Sequence, residues 1–261
     1  MISCQSLGLN GRFGNQMFQY ATLYALGKEL KYDIGVPYQT KNPNDKLNFC
    51  LPECFNLSAK DSSSHFFGSV YLEVGFQYNS DIKNISDNTD IRGYFQTEKY
   101  FKSYESDIKT KEFKFLPFIE QKTNSILKKD KEYVAVHMRL GDYLYLQDCH
   151  PICSAEYYKT ALELVPDNAE IILFSDDLKQ ATSIIKYCGR EINSFGTNDK
   201  FIDMCVMTKC NYHIIANSSF SWWGAWLSNS KKVIAPKKWF GTSNTVPKNW
   251  DDIYCDDWII V

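Results

Sequence analysis

The second half of the chain alternates short apolar runs with amphipathic stretches at the period of βαβ units, and few architectures accept that pattern. Strands are read over 134–138, 171–174, 191–194, 213–216 and 232–235, and helices over 154–165, 178–187, 200–209 and 219–228. Such an order predicts a parallel sheet covered on both faces. The first half is less regular. A strand over 2–9 runs through the turn Asn10 to Gly14 into a helix over 15–30, on which Phe13, Met17, Ala21, Tyr24 and Ala25 recur at spacings of three and four. Between residues 38 and 64, Pro43, Pro52 and polar clusters suggest long connections. Strand pieces over 71–78 and 91–95, a helix over 98–106 and a polar, lysine-rich helix over 119–130 follow, and that last helix marks the expected boundary. The fold class is therefore α/β, with lobes over 1–130 and 131–261.

With 261 residues the chain has room for one large domain or two small lobes. A net charge of −2 gives no global electrostatic case for nucleic acid or an anionic membrane, so any anion must be bound locally. Nine cysteines without a Cys-x-x-Cys pair fit reduced thiols better than a disulfide framework. Cys50 with Cys54, and Cys149 with Cys153 around His150, have spacings that zinc could use, but small core residues explain them as well. No basic-then-apolar signal opens the chain, and no run approaches the ~18 apolar residues that a membrane span needs. Neither secretion nor an integral anchor is expected.

Candidate chemistry gathers where strands end. His137, Arg139 and Asp142 follow the apolar run Tyr133 to Val136, so a buried strand would deliver them to its carboxyl edge, where α/β proteins bind ligands. Arginine there offers a planar five-donor fork that matches phosphate oxygens two at a time. Pairing with a nearby aspartate to close a turn is the alternative. Asp176 and Asp177 could accept hydrogen bonds from a ribose hydroxyl or from the N1–H and 2-amino groups of guanine, although one of the two also suits the cap of the helix from Leu178. Asn217, Ser218, Ser219 and Phe220 open a further helix whose amides and dipole would face an anion; Ser218 alone also reads as an N-cap. Paired carboxylates can hold a metal, but the sequence places no further ligand, so no metal is expected. Gly8, Gly11 and Gly14 form neither Gly-x-Gly-x-x-Gly nor a Walker loop, which argues against a dinucleotide enzyme and a P-loop NTPase. They still allow a tight turn that would bring Asn15 or Gln16 near a ligand.

Five blocks carry a resemblance. Gly11 to Ala21, Gly93-Tyr94-Phe95-Gln96-x-Glu98-Lys99-Tyr100-Phe101, His137-x-Arg139-x-Gly141-Asp142-Tyr143, Ser175-Asp176-Asp177 and Asn217 to Leu227 together resemble, in order, the α-1,2-fucosyltransferases of glycosyltransferase family 11. Two departures are a Gly-Gly that is here Gly11-Arg12-Phe13, and a second strand-motif arginine that is here Leu140. Because alternate strand residues face opposite sides, Leu140 should leave the side used by Arg139 intact. The resemblance implies a GT-B-like architecture of two Rossmann-like lobes with a nucleotide-sugar cleft between them, the 1–130 lobe on the acceptor side and the 131–261 lobe binding the GDP-sugar. It implies inverting transfer of L-fucose from GDP-β-L-fucose to the 2-hydroxyl of a galactose-type acceptor glycan, with no cofactor and no required metal. Arg139 is then the cation at the diphosphate, Asp142, His137 and Glu98 are candidates for the base, and Gly14, Asn15, Gln16, Gln96 and Glu98 are the first-lobe residues expected at the cleft. The animal relatives' membrane stem is missing, so a bacterial-type cytoplasmic enzyme, at most peripheral at the inner membrane, is the expectation. A glycan or nucleotide-sugar binding protein without turnover, and a transferase for another GDP-sugar or linkage, are the alternatives.

Overall fold

Strands of two to six residues hold together only when a sheet pairs their backbone groups. The computed structural model describes residues 1–38 and 48–261. They form two units, residues 1–116 with 249–255 and residues 117–248 with 256–261. Pro43 and part of the connection read over 38–64 lie outside the described residues.

In the first unit, β1 (Ile2–Ser3), β2 (Ile34–Val36), β3 (Lys60–Asp61), β4 (Ser69–Leu72) and β5 (Thr89–Arg92) make a parallel sheet ordered β3-β2-β1-β5-β4. Its order reverses between β1 and β5, the position at which open α/β sheets receive ligands. After β1 the chain turns through Gly8 and Gly11, both at positive φ, and enters α1 (Phe13–Leu30). A Cβ on Gly11 would lie 2.6 Å from that of Asn15, so the close approach itself demands glycine. Helix α1 does not have the single apolar face that its spacing suggests. Gln16, Gln19 and Thr22 are as buried as Met17 and Ala21. Gln16 bears that burial through the main chain, its Nε2 donating to Gly11 and Asn48 and its Oε1 accepting the Cys50 N–H, while Gln19 Nε2 donates to Gly93 and its Oε1 has no partner among the described residues.

Residues 98–106 are not one helix. They fold as 3-10 turns at Glu98–Tyr100 and Lys102–Tyr104, followed by a single α-turn, α2 (Glu105–Asp107), and a π-turn at Ile108–Glu112. Buried Phe101, at φ −140° and ψ 0°, leaves helical geometry between the two turns and breaks the ladder there.

The second unit opens with α3 (Pro117–Ile126). The helix expected to close the first lobe thus belongs to the second. Next come β6 (Tyr133–Met138), α4 (Ala155–Glu163), β7 (Glu170–Ser175), α5 (Leu178–Tyr187), β8 (Ser194–Phe195), α6 (Lys200–Thr208), β9 (Tyr212–Ile214), α7 (Ser219–Trp226), β10 (Lys232–Ala235) and β11 (Ile259–Ile260). The strands are parallel in the order β11-β10-β9-β6-β7-β8, the doubly wound arrangement, and the order reverses between β6 and β9. Strand periodicity sorts the two faces. Val134, Val136 and Met138 pack with Ile171 and Leu173 against Ala161, Leu162, Ala181 and Ile185 of α4 and α5. Tyr133 and Ala135 pack with Ile172 and Phe174 against Ile202, Val206 and Met207 of α6. Coverage on both faces agrees with the expectation from sequence.

Buried His213 locks β9 to α6. Its Nε2 lies 2.8 Å from the Met207 carbonyl and so carries the proton, and its Nδ1 lies 2.9 Å from Ser230 Oγ. Burial pushes its pKa down to about 4, so the folded protein refuses a proton that the unfolded chain takes up near the ordinary histidine value of 6.5. The stability this neutral ring confers is fully present above the unfolded pKa and is lost as pH falls toward the folded one. Denaturant unfolding should show His213 removing about 2 kcal/mol between pH 7 and pH 5. His213→Gln should flatten that part of the slope.

Candidate active site

Strand alternation decides what reaches the carboxyl edge of β6. His137 continues the face of Tyr133 and Ala135, whereas Leu140 is fully buried with Val136 and Met138. His137 is buried, its Nδ1 2.8 Å from Ser221 Oγ on α7, and its ring meets Phe220 at 5.8 Å. Burial first, and the Arg139 charge second, push its pKa down to about 3, so it is a neutral imidazole with little appetite for a proton.

Arg139 lies between two carboxylates. One terminal nitrogen is 2.7 Å from Asp142 and the other 2.9 Å from Asp176. The turn-closing pairing weighed from the sequence is therefore present, and it orients the guanidinium without burying it. Asp176 has a second duty: its other oxygen accepts the Leu140 N–H at 2.8 Å, so one carboxylate at the end of β7 ties down the loop leaving β6. A Cβ on Gly141 would come within 2.8 Å of Asp176, which is why that loop needs glycine. Asp177 accepts the Gln180 N–H and caps α5.

At the end of β9, Asn217 is buried and its side chain is fully engaged. Nδ2 donates to the Pro151 and Trp239 carbonyls at 3.0 and 2.9 Å, the Cys153 thiol donates to Oδ1, and its own carbonyl accepts the Tyr143 hydroxyl at 3.1 Å. The reading of Asn217 as a donor-binding side chain gives way to that of a hub joining three loops, because its amide has no donor left over. Ser218 is the N-cap of α7, accepting the Phe220 N–H, and Ser219 and Phe220 form the first turn, half-buried. Beside the N-terminus of α7, β6 delivers Arg139 from the adjacent strand, at the point where the strand order reverses. An anion-binding helix end and a fixed cation at one switch point suit a diphosphate.

The first unit brings its own candidates together at the β1/β5 reversal. Gln96 Nε2 donates to Asn15 Oδ1 at 2.6 Å, and Gly14 is buried in the first turn of α1. Phe95 sits at φ 54°, with its N–H and that of Tyr94 held by the Glu73 carboxylate. Gln16 is a correction. Its side chain is fully buried, and Oε1 accepts the Cys50 N–H at 3.0 Å while Nε2 serves two carbonyls, so it braces the turn instead of facing a ligand. Glu98 is buried and paired with Lys102 at 2.6 Å. All nine cysteines are free thiols, and Cys50, Cys54 and Cys153 are core residues. Among the described residues no cluster of three or more potential metal ligands occurs, and no helix is long and apolar enough to cross a membrane.

Sequence reasoning missed Tyr143, Ser221 and His150 as site residues. Tyr143 and Ser221 lie inside recognisable blocks but bond through partners that no spacing reveals, and His150 drew notice only between two cysteines.

A doubly wound sheet with an arginine and a helix N-terminus at its switch point suits a phosphorylated ligand. The chain belongs to glycosyl transferase family 11, whose profile matches residues 78–261. It is 31% identical to an Escherichia coli alpha-1,2-colitosyltransferase over 93% of this chain and 96% of that one. It is 27% identical to the Escherichia coli O-antigen biosynthesis glycosyltransferase WbnK over 99% of both. A cattle galactoside 2-alpha-L-fucosyltransferase, SEC1, matches at 23% over 87% of this chain and 65% of its own length. Among solved structures, fucosyltransferase NodZ from Bradyrhizobium aligns over 87% of this chain and 93% of its own with a TM-score of 0.54 at 11% identity. POFUT1 in complex with GDP aligns over 90% and 96%, with a TM-score of 0.57 at 12% identity. At those identities the likeness shows a shared fold, which is GT-B-like.

Replacing Asn217 by Asp keeps its size but removes both donated hydrogen bonds. Unfolding measurements should show a loss of about 2 to 4 kcal/mol, one buried and one part-buried carbonyl being left without donors. A variant as stable as the wild type would return Asn217 to the pool of ligand contacts.

Proposed function

We propose that this protein transfers L-fucose from GDP-β-L-fucose to the 2-hydroxyl of a galactose-type acceptor, with inversion to an α-1,2 linkage, in glycan or surface polysaccharide synthesis. The observation that carries the reading is Arg139, held by two carboxylates beside the N-terminus of α7 at the strand-order reversal. Membership of family 11 and relatives named as α-1,2 transferases support it.

As the bond to the donor sugar breaks, charge builds on the β-phosphate while the ring becomes oxocarbenium-like. A preorganised cation stabilises that charge without rearranging at the moment of reaction. Arg139 supplies it, the N–H groups of the first turn of α7 share it, and the reading calls for no metal. Phosphate oxygens would meet a fork that Asp142 and Asp176 already orient. Inversion also needs a group to take the proton of the acceptor hydroxyl. His137 is the least suited of the three candidates, being buried, bonded to Ser221 and depressed to a pKa of about 3. Asp142 stands at the rim beside Arg139, and Glu98 is engaged by Lys102 in the first unit.

The colitosyltransferase relative favours a second reading of the donor. Colitose is fucose without its 3-hydroxyl, so the two donors differ by one polar group that a hydrogen-bonding site can read. Competition between GDP-fucose and GDP-colitose, followed by linkage analysis of the product, decides between them. Preferential transfer of colitose would displace fucose from the proposal. Arg139→Ala should lower turnover about 10²-fold or more, comparable with loss of one preorganised donor at an oxyanion. Titration with GDP and UDP should favour GDP, and the reverse preference would remove the guanine assignment.

A further inference from the structure

We infer that Tyr143 and His150 are positioning residues for the transfer, their stacked rings fixing the plane in which the Arg139 guanidinium meets the diphosphate; this rests on the reading of Arg139 given above. Asp142 and Asp176 pair with the two terminal nitrogens of the fork. An incoming diphosphate would draw on the same charge, so those two ion pairs alone would let the plane swing as the donor binds. The Tyr143 ring supplies what they do not, lying 5.6 Å from Cζ of Arg139, in range for a cation–π contact that leaves the N–H groups available.

Tyr143 is itself fixed. Its hydroxyl donates to the Asn217 carbonyl at 3.1 Å, which links the Arg139 loop to the entry of α7. His150 covers the ring at 5.0 Å between centroids and 17° between planes, and Phe240 backs His150 at 5.7 Å. The guanidinium at the rim, the stacked Tyr143 and His150 rings and buried Phe240, tilted by 48° against His150, thus follow one another in contact. Their base is anchored by backbone bonds: the Leu146 carbonyl accepts the N–H groups of Cys149 and His150, the Cys149 carbonyl accepts that of Gly241, and the Asp148 carbonyl accepts that of Ser243. A Cβ on Gly241 would lie 2.2 Å from the Asp148 oxygen, so the two segments touch backbone to backbone. Burial holds His150 below the ordinary histidine pKa, so it stacks on Tyr143 as a neutral ring.

The test compares Tyr143→Leu, Tyr143→Phe, His150→Leu and His150→Phe with the wild type, alone and combined with Arg139→Ala. GDP affinity is measured by titration, kcat and acceptor KM at saturating donor, and folding by thermal melting. Each leucine variant should lose about tenfold in kcat and in GDP affinity, roughly the worth of one such contact, with acceptor KM unchanged. His150→Phe keeps a ring against Tyr143 and should stay within twofold, and Tyr143→Phe, which keeps the ring but loses the hydroxyl bond to Asn217, should fall between the wild type and Tyr143→Leu. In the Arg139→Ala background the leucine changes should cost GDP affinity nothing further, because the rings act through the guanidinium. Leucine variants that match the wild type while Arg139→Ala fails would overturn the inference and leave the reading of Arg139 standing. An equal penalty with and without Arg139 would overturn it as well, by showing a structural effect that bypasses the guanidinium. Normal GDP binding and turnover in Arg139→Ala would overturn both.

Discussion

Everything proposed for this site depends on how one guanidinium is held. Arg139 carries a permanent charge at the rim of a sheet, and its two carboxylate partners come from different places: Asp142 from its own loop, Asp176 from the end of the neighbouring strand. Because Asp176 also takes the Leu140 N–H, the ion pair and the loop conformation are set together. Neither could shift without the other. The value of such a pair lies less in stability, which partly exposed ion pairs supply poorly, than in leaving a charge with one orientation before any ligand arrives.

In each unit other polar groups serve the fold. Asn217 spends its amide on Pro151 and Trp239, and Gln16 spends its own on Gly11, Asn48 and Cys50. Both act by holding loops in place at a strand-order reversal.

What could be read in the sequence follows from the range of the forces involved. Most helices and strands of 134–235 were legible because the helices repeat at about 3.6 residues between short apolar strands, and because Asp177 and Ser218 are local caps, whereas the strand read over 191–194 forms only at Ser194–Phe195. The departure at Leu140 was legible as well: alternation alone sends it into the core beside Met138. The helix expected over 98–106 failed at Phe101, where a long-range packing demand overrides local propensity. The boundary expected near residue 130 failed because α3 packs against α6, a contact that nothing within the helix announces. At the site, residue types and strand ends were readable, whereas the division of labour was not. Whether an asparagine faces a ligand or three loops depends on carbonyls tens of residues away.

The path of the chain through its two units carries one more consequence. Residues 249–255 return to the first unit, and β11 beyond them completes the sheet of the second by pairing with β10. Both bodies are therefore unfinished until the same short stretch emerges from the ribosome. A nascent chain would hold the second sheet one strand short and the first unit without its 249–255 segment, and no cut placed near residue 116 would release a self-sufficient half.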